Sequence, residues 1–222
     1  MNAFSLELIE QLDACLRSLI EISAVGSCLL VTSAGRSFCS GLDIELLKSI
    51  REMSPSEAEA CIQKVQCTFH LFRTLPCPTI CLIQGHCYGA GVDFASVSDI
   101  RYASADALFS VAEVHLGIVP DLGTIPFFLR AVHKSWGTEM VLSGRRFTAI
   151  EAERNGFLSK VYQSVDELGS AGHALARELT KIPGKTLQSI VKFSRDSSEN
   201  NETLLRALAK SNLSIHYVFV PA

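Results

Sequence analysis

Gly85-His86-Cys87-Tyr88-Gly89-Ala90-Gly91-Val92-Asp93 joins two segments of opposite periodicity. Before it, residues 79–84 form a β-branched, apolar run of the length of one buried strand. After it, residues 89–98 carry apolar side chains at helical spacing. Further on, Ile100-Arg101-Tyr102-Ala103 and Leu108-Phe109-Ser110-Val111 read as two more short strands, so the local order is strand, glycine loop, helix, strand, strand. Helices interleaved with short buried strands predict an α/β chain. A second glycine-containing loop, Phe38-Cys39-Ser40-Gly41-Leu42-Asp43, repeats the setting, behind a strand predicted over residues 28–32 and ahead of a helix. Two such loops can aim backbone N–H groups at one point and hold an oxyanion. Either alone reads as an ordinary strand-to-helix turn.

The flanking chain fits the same class. Leu8, Leu12, Leu16 and Leu19 predict an amphipathic helix over residues 5–23. Ser54-Pro55-Ser56-Glu57 is a capping box with proline at the first helical position, and its helix should end near Arg73. Beyond Thr124, helices are predicted at residues 135–142 and from a cap at Thr148 and Glu151 to Gly156, then a strand at 158–162. From Val165 to about Tyr217 helices dominate, broken at Pro183-Gly184 and at polar residues 197–201. We expect a core over residues 1–164 and a helical region over 165–222.

Composition narrows the function classes. The 222 residues, 48% hydrophobic, suffice for a sizeable core. Twenty Lys and Arg against 23 Asp and Glu leave a formal charge of -3 and no basic stripe, so no nucleic-acid partner is expected. No apolar run approaches the roughly 20 residues that span a bilayer, so no membrane partner is expected either. Cys15, Cys28, Cys61, Cys67 and Cys81 lie in apolar-periodic segments and read as reduced core thiols. Cys77, Cys81 and Cys87 lack metal-ligand spacing, so no metal is expected. The loops match neither a phosphate loop nor a dinucleotide fingerprint, so no nucleotide cofactor is implied.

Three carboxylates stand out. Asp93 lies between Val92 and Phe94 on a predicted apolar helix, where a buried charge is costly unless partnered. Glu113 follows the strand ending at Val111, and Asp121 follows Pro120 just ahead of a predicted helix. Singly, these read equally well as a surface residue, an ion-pair partner and an N-cap.

The two loops together with Asp93, Asp99-Ile100-Arg101-Tyr102, Glu113, Gly117, Pro120 and Gly123-Thr124 resemble the enoyl-CoA hydratase/isomerase (crotonase) superfamily. The likeness runs from Asn2-Ala3 to Ser194-Arg195-Asp196 and is densest between Pro76 and Val161. It implies a crotonase-type spiral of strand-strand-helix turns, a C-terminal helical region that assembles trimers or hexamers, and acyl-CoA thioester substrates with no separate cofactor. It also implies an oxyanion hole from the N–H groups of Leu42 and Ala90, with Ser40, Gly41, Asp43 and Gly89 lining the substrate site. The family usually has glycine where Ala90 stands. Its hydratases carry glutamates at the positions of Asp93 and Glu113 and glycine at that of Asp121. The Asp, Glu, Asp set instead resembles the delta-3,5-delta-2,4-dienoyl-CoA isomerases, for which a mitochondrial or peroxisomal location is usual.

That likeness implies Asp121 and Glu113 as base and acid at the two ends of a dienolate, with Asp93 orienting Glu113 or raising its pKa. The alternatives are a hydratase and a catalytically silent assembly partner. The latter is suggested because the family pattern normally has a strand pair ahead of Asn2-Ala3 and further helix after Tyr217.

Overall fold

The computed structural model describes residues 1–22 and 26–196. The predicted loop at 197–201 and any helix beyond it lie outside the described residues. Helix α1 (Leu6–Ile22) is followed by β1 (Leu29–Val31), α2 (Ile44–Glu52) and α3 (Pro55–Arg73). The centre of the chain is β2 (Thr79–Ile83), β3 (His86–Tyr88), α4 (Ala90–Ser96), β4 (Ile100–Ser104) and β5 (Leu108–Ser110). A 3-10 turn (Ala112–Leu116), a π-helical turn (Thr124–Phe128), α5 (Leu129–Ala131), α6 (Lys134–Ser143), β6 (Phe147–Thr148), α7 (Ala149–Arg154) and β7 (Lys160–Tyr162) come next. The described chain closes with α8 (Val165–Leu179) and α9 (Gly184–Asp196).

Strands β1, β2, β4 and β7 form one parallel sheet in the order β1-β2-β4-β7. Strands β3, β5 and β6 form a second, with β3 and β5 parallel and β6 antiparallel. Each turn of the chain thus places one strand in each sheet. β2 is followed by β3, β4 by β5, and β1 by a single bridge at Cys39 to Cys87. This is the expected spiral.

His86–Tyr88 is a strand, not loop, because its backbone pairs with β5 in the register His86 to Leu108. Gly85 is the corner that makes this possible. Its φ is +58°, and a Cβ there would lie 2.0 Å from the Arg36 carbonyl oxygen. Gly85→Ala is therefore expected to lose at least ~2 kcal/mol through clash and strained φ. A urea midpoint that falls at unchanged slope is the readout. The two-residue β6 likewise follows from its antiparallel pairing with β5 and from no local pattern.

β2 is buried at every position. Ile80 and Leu82 face α8 through Leu168, Leu175 and Leu179, while Cys81 and Ile83 face the main core. This period of two lets one strand serve two layers. Phe4, Phe69, Phe72 and Phe94 pack edge-on or tilted with centroids 5.0–5.5 Å apart, joining the N-terminal segment, α3 and α4. Cys39, Cys77, Cys81 and Cys87 are buried free thiols, but Cys15 and Cys67 are exposed, on the outer faces of α1 and α3. An apolar-periodic helix still has a wet face, and these two lie on it.

Helix starts follow the local chemistry. Glu57 accepts the Ser54 N–H at 2.9 Å, and Glu151 accepts the Thr148 N–H at 2.9 Å. Asp43 caps α2 by accepting the Glu45 N–H at 2.9 Å.

Candidate active site

The two glycine loops meet. The Phe4 N–H donates to the Gly41 carbonyl at 2.8 Å and the Asp43 N–H to the Phe4 carbonyl at 3.0 Å, which pins residues 41–43 beside the N-terminal segment. A Cβ on Gly41 would lie 3.2 Å from the Tyr88 carbonyl oxygen and 3.8 Å from the Ala90 nitrogen, and one on Gly89 would lie 3.8 Å from the Gly41 Cα. Only bare backbone permits this approach. Gly89 also has φ +51°, a conformation side chains rarely adopt. The N–H groups of Leu42 and Ala90 make no described hydrogen bond to a loop or side-chain acceptor. Ser40 is held by its own N–H to the Met1 carbonyl at 3.1 Å. The Asp43 carboxylate is taken up by the α2 cap.

Beside this junction lie the three carboxylates. Asp93, on the first turn of α4, is wholly buried. Its Oδ1 accepts the Thr124 hydroxyl at 2.5 Å. Glu113, on the 3-10 turn after β5, lies over Gly89: a Cβ there would be 3.1 Å from Glu113 Oε1. Glu113 as a residue is half-buried, yet its Oε2 is shut off from solvent without a hydrogen-bond partner, as is Asp93 Oδ2. Asp121 is buried, and its backbone carbonyl accepts the Gln66 amide at 2.9 Å from α3. It is not an N-cap, because the next helical turn starts at Thr124 behind Gly123. Asp121 borders an apolar cavity of about 40 Å³ with Leu42, Ile62, Val65, Ile118 and Leu122.

Burial dominates the electrostatics. It raises Asp93 from its ordinary 3.8 to about 6, opposed by the hydrogen bonds from Thr124. Glu113 is pushed well above its usual value by burial first, then by the charges of Asp93 and Asp121. No Lys or Arg side chain is hydrogen-bonded to Asp93 or Glu113 among the described residues. Both groups bind protons more tightly folded than unfolded, so stability is greatest below their unfolded pKa values. It falls as pH rises from about 4 past 6. Glu113→Gln removes the conflict and is expected to gain ~1–3 kcal/mol at pH 7.5, and almost nothing at pH 4. Denaturation at the two pH values checks this, and an equal gain at both would refute it.

Among the described residues no three His, Cys, Asp or Glu side chains are grouped to hold a metal ion. Sequence reasoning missed Gln66 and had Thr124 only as part of a motif. A hydroxyl directly after the glycine at 123 was the available signal.

The profile of the enoyl-CoA hydratase/isomerase family matches residues 1–217. The peroxisomal Delta(3,5)-Delta(2,4)-dienoyl-CoA isomerase of Arabidopsis thaliana is 36% identical over 185 residues, covering 79% of this chain and 66% of its own length. The mitochondrial enzyme of that name from Mus musculus is 33% identical over 202 residues, covering 84% and 60%. The chain thus spans under two thirds of either relative. A crystal structure of enoyl-CoA hydratase from Bacillus halodurans superposes with a TM-score of 0.86 at 22% identity, over 95% of this chain and 84% of that one. An enoyl-CoA hydratase/isomerase from Cupriavidus metallidurans CH34 does so with 0.82 at 26%, over 97% and 80%. With the spiral, the paired glycine loops and this match over nearly its full length, the chain belongs to the enoyl-CoA hydratase/isomerase family, the crotonases.

Proposed function

We propose that the chain is an acid-base isomerase that moves the two conjugated double bonds of a 3,5-dienoyl-CoA to the 2,4 positions. The observation that carries this reading is a third buried carboxylate, Asp121, beside the Asp93–Glu113 pair and at an apolar cavity. Hydration of a double bond needs carboxylates at one water. A 1,5 proton shift needs groups at both ends of a diene.

In this reading the thioester oxygen accepts the N–H groups of Leu42 and Ala90. A carboxylate removes the proton beside the carbonyl, and negative charge spreads from the thioester oxygen along the dienolate. A second carboxyl returns a proton at the far end, with Glu113 and Asp121 in these two roles. The net change is zero in protons and electrons, so no redox group is required. The apolar cavity at Asp121 takes the start of the acyl tail. Assembly as a trimer or hexamer, and a mitochondrial or peroxisomal setting like those named for the relatives, belong to the same proposal.

Mixing the purified 222-residue chain with a 3,5-dienoyl-CoA tests it. The expected result is a rise in the ultraviolet absorbance of a 2,4-dienoyl thioester without added cofactor. Hydration of a 2-enoyl-CoA at a higher kcat/KM would favour the hydratase instead, and no turnover of either would favour an assembly role.

A further inference from the structure

Asp93 and Glu113 face one another, and among the described residues no Lys or Arg side chain is hydrogen-bonded to either, so the arrangement of donors decides which of them is charged. Thr124 supplies the asymmetry. Its hydroxyl donates to Asp93 Oδ1 at 2.5 Å, and both residues are fully buried. The contact is tightly built, since Gly123 lies so close to α4 that a Cβ there would be 3.2 Å from the Asp93 carbonyl oxygen and 3.5 Å from the Asp93 Cβ. A donated hydroxyl stabilises a carboxylate in its ionised form. Each carboxyl keeps one bare oxygen, Asp93 Oδ2 and Glu113 Oε2, but Asp93 takes both the hydroxyl and the backbone N–H of Thr124, whereas Glu113 takes a backbone hydrogen bond and no described hydroxyl.

We infer that Thr124 is a positioning residue: its hydroxyl occupies Oδ1 of Asp93, keeps Asp93 ionised, and leaves the proton retained by the pair on Glu113. The consequence for turnover rests on the isomerase reading; the placement of the proton does not. The pKa directions agree, with Asp93 at about 6 and Glu113 well above its usual value. Among the described residues the other titratable groups that act on the pair are Cys39 and Cys87, which sense Asp93, and Asp121, which acts on Glu113. Burial lifts Cys39 to about 11 and Cys87 well above its ordinary value, so both thiols stay neutral while the carboxyls titrate.

Infrared titration of the carboxyl C=O stretch, which needs no turnover, tests the inference on the full chain. In the wild type a protonated-carboxyl band should persist at neutral pH and vanish in Glu113→Gln. Its survival in Glu113→Gln and loss in Asp93→Asn would place the proton on Asp93 and overturn the inference, whether or not any Thr124 variant folds. Thr124→Val, which keeps the shape and removes the donor, should raise the Asp93 midpoint by roughly one pH unit or more, and Thr124→Ser should restore it. The acid limb of kcat/KM should move with it while KM stays nearly constant. An unmoved midpoint in folded Thr124→Val, or an equal shift in Thr124→Ser, would also overturn it. A wild type with the expected band but no dienoyl-CoA turnover would defeat the functional proposal and leave this one standing.

Discussion

Asp121→Asn is expected to lower kcat for a 3,5-dienoyl-CoA by about 100- to 10,000-fold, the usual worth of a positioned acid or base. The substitution keeps size and hydrogen-bonding shape and removes only the capacity to exchange a proton. The Asp121 backbone is anchored through its carbonyl to Gln66, so the loop should hold its place. The loss should therefore fall on kcat and leave KM for the thioester nearly unchanged. Glu113→Gln should lose a comparable factor, whereas Asp93→Asn, acting through Glu113, should lose less and shift the pH profile. An Asp121→Asn enzyme within threefold of wild-type kcat would remove Asp121 from the reaction.

Arg195→Ala should cost about 3–5 kcal/mol, the scale for removing one partner of a buried ion pair. The guanidinium sits at the end of α9 and spans two contacts to Asp99, at 2.8 and 2.5 Å. It also donates to the carbonyls of Arg73, Leu75 and Cys77. It thereby ties α9 to the end of α3, the turn before β2 and the start of β4. Asp99 in turn accepts the N–H and hydroxyl of Thr79, each at 2.8 Å. Alanine would leave these carbonyls and the carboxylate buried with fewer donors.

Burial alone would raise the Asp99 pKa, but the Arg195 contacts and Thr79 bring it below the ordinary 3.8. Its stabilising effect is thus present above about pH 4 and lost below, so the gap between wild type and variant should narrow in acid. Arg195→Lys should recover only part of the loss, because an ammonium cannot match the fork. A denaturation free energy within 1 kcal/mol of wild type would show that the cluster is not a structural tie.

Local sequence determined a good deal. Apolar spacing marked α1 and α4 and a capping box marked α3, each to within a few residues, because a helix answers to its own periodicity and caps. The run at 79–84 announced a strand covered on both faces, and that is where β2 lies. The glycines at 41, 85 and 89 marked close approach, since nothing else tolerates those backbones. The tertiary structure decided the rest. His86–Tyr88 is a strand only because β5 lies alongside it, a pairing no local pattern encodes. Asp93, Glu113 and Asp121 each had a plain reading of their own, and what distinguishes them is that the fold brings them beside one another out of water. That placement is set by Gly89 on one segment and by Gly123 and Thr124 on another. Charge and desolvation act through space, so the chemistry of these carboxyls was fixed by what the fold packs around them.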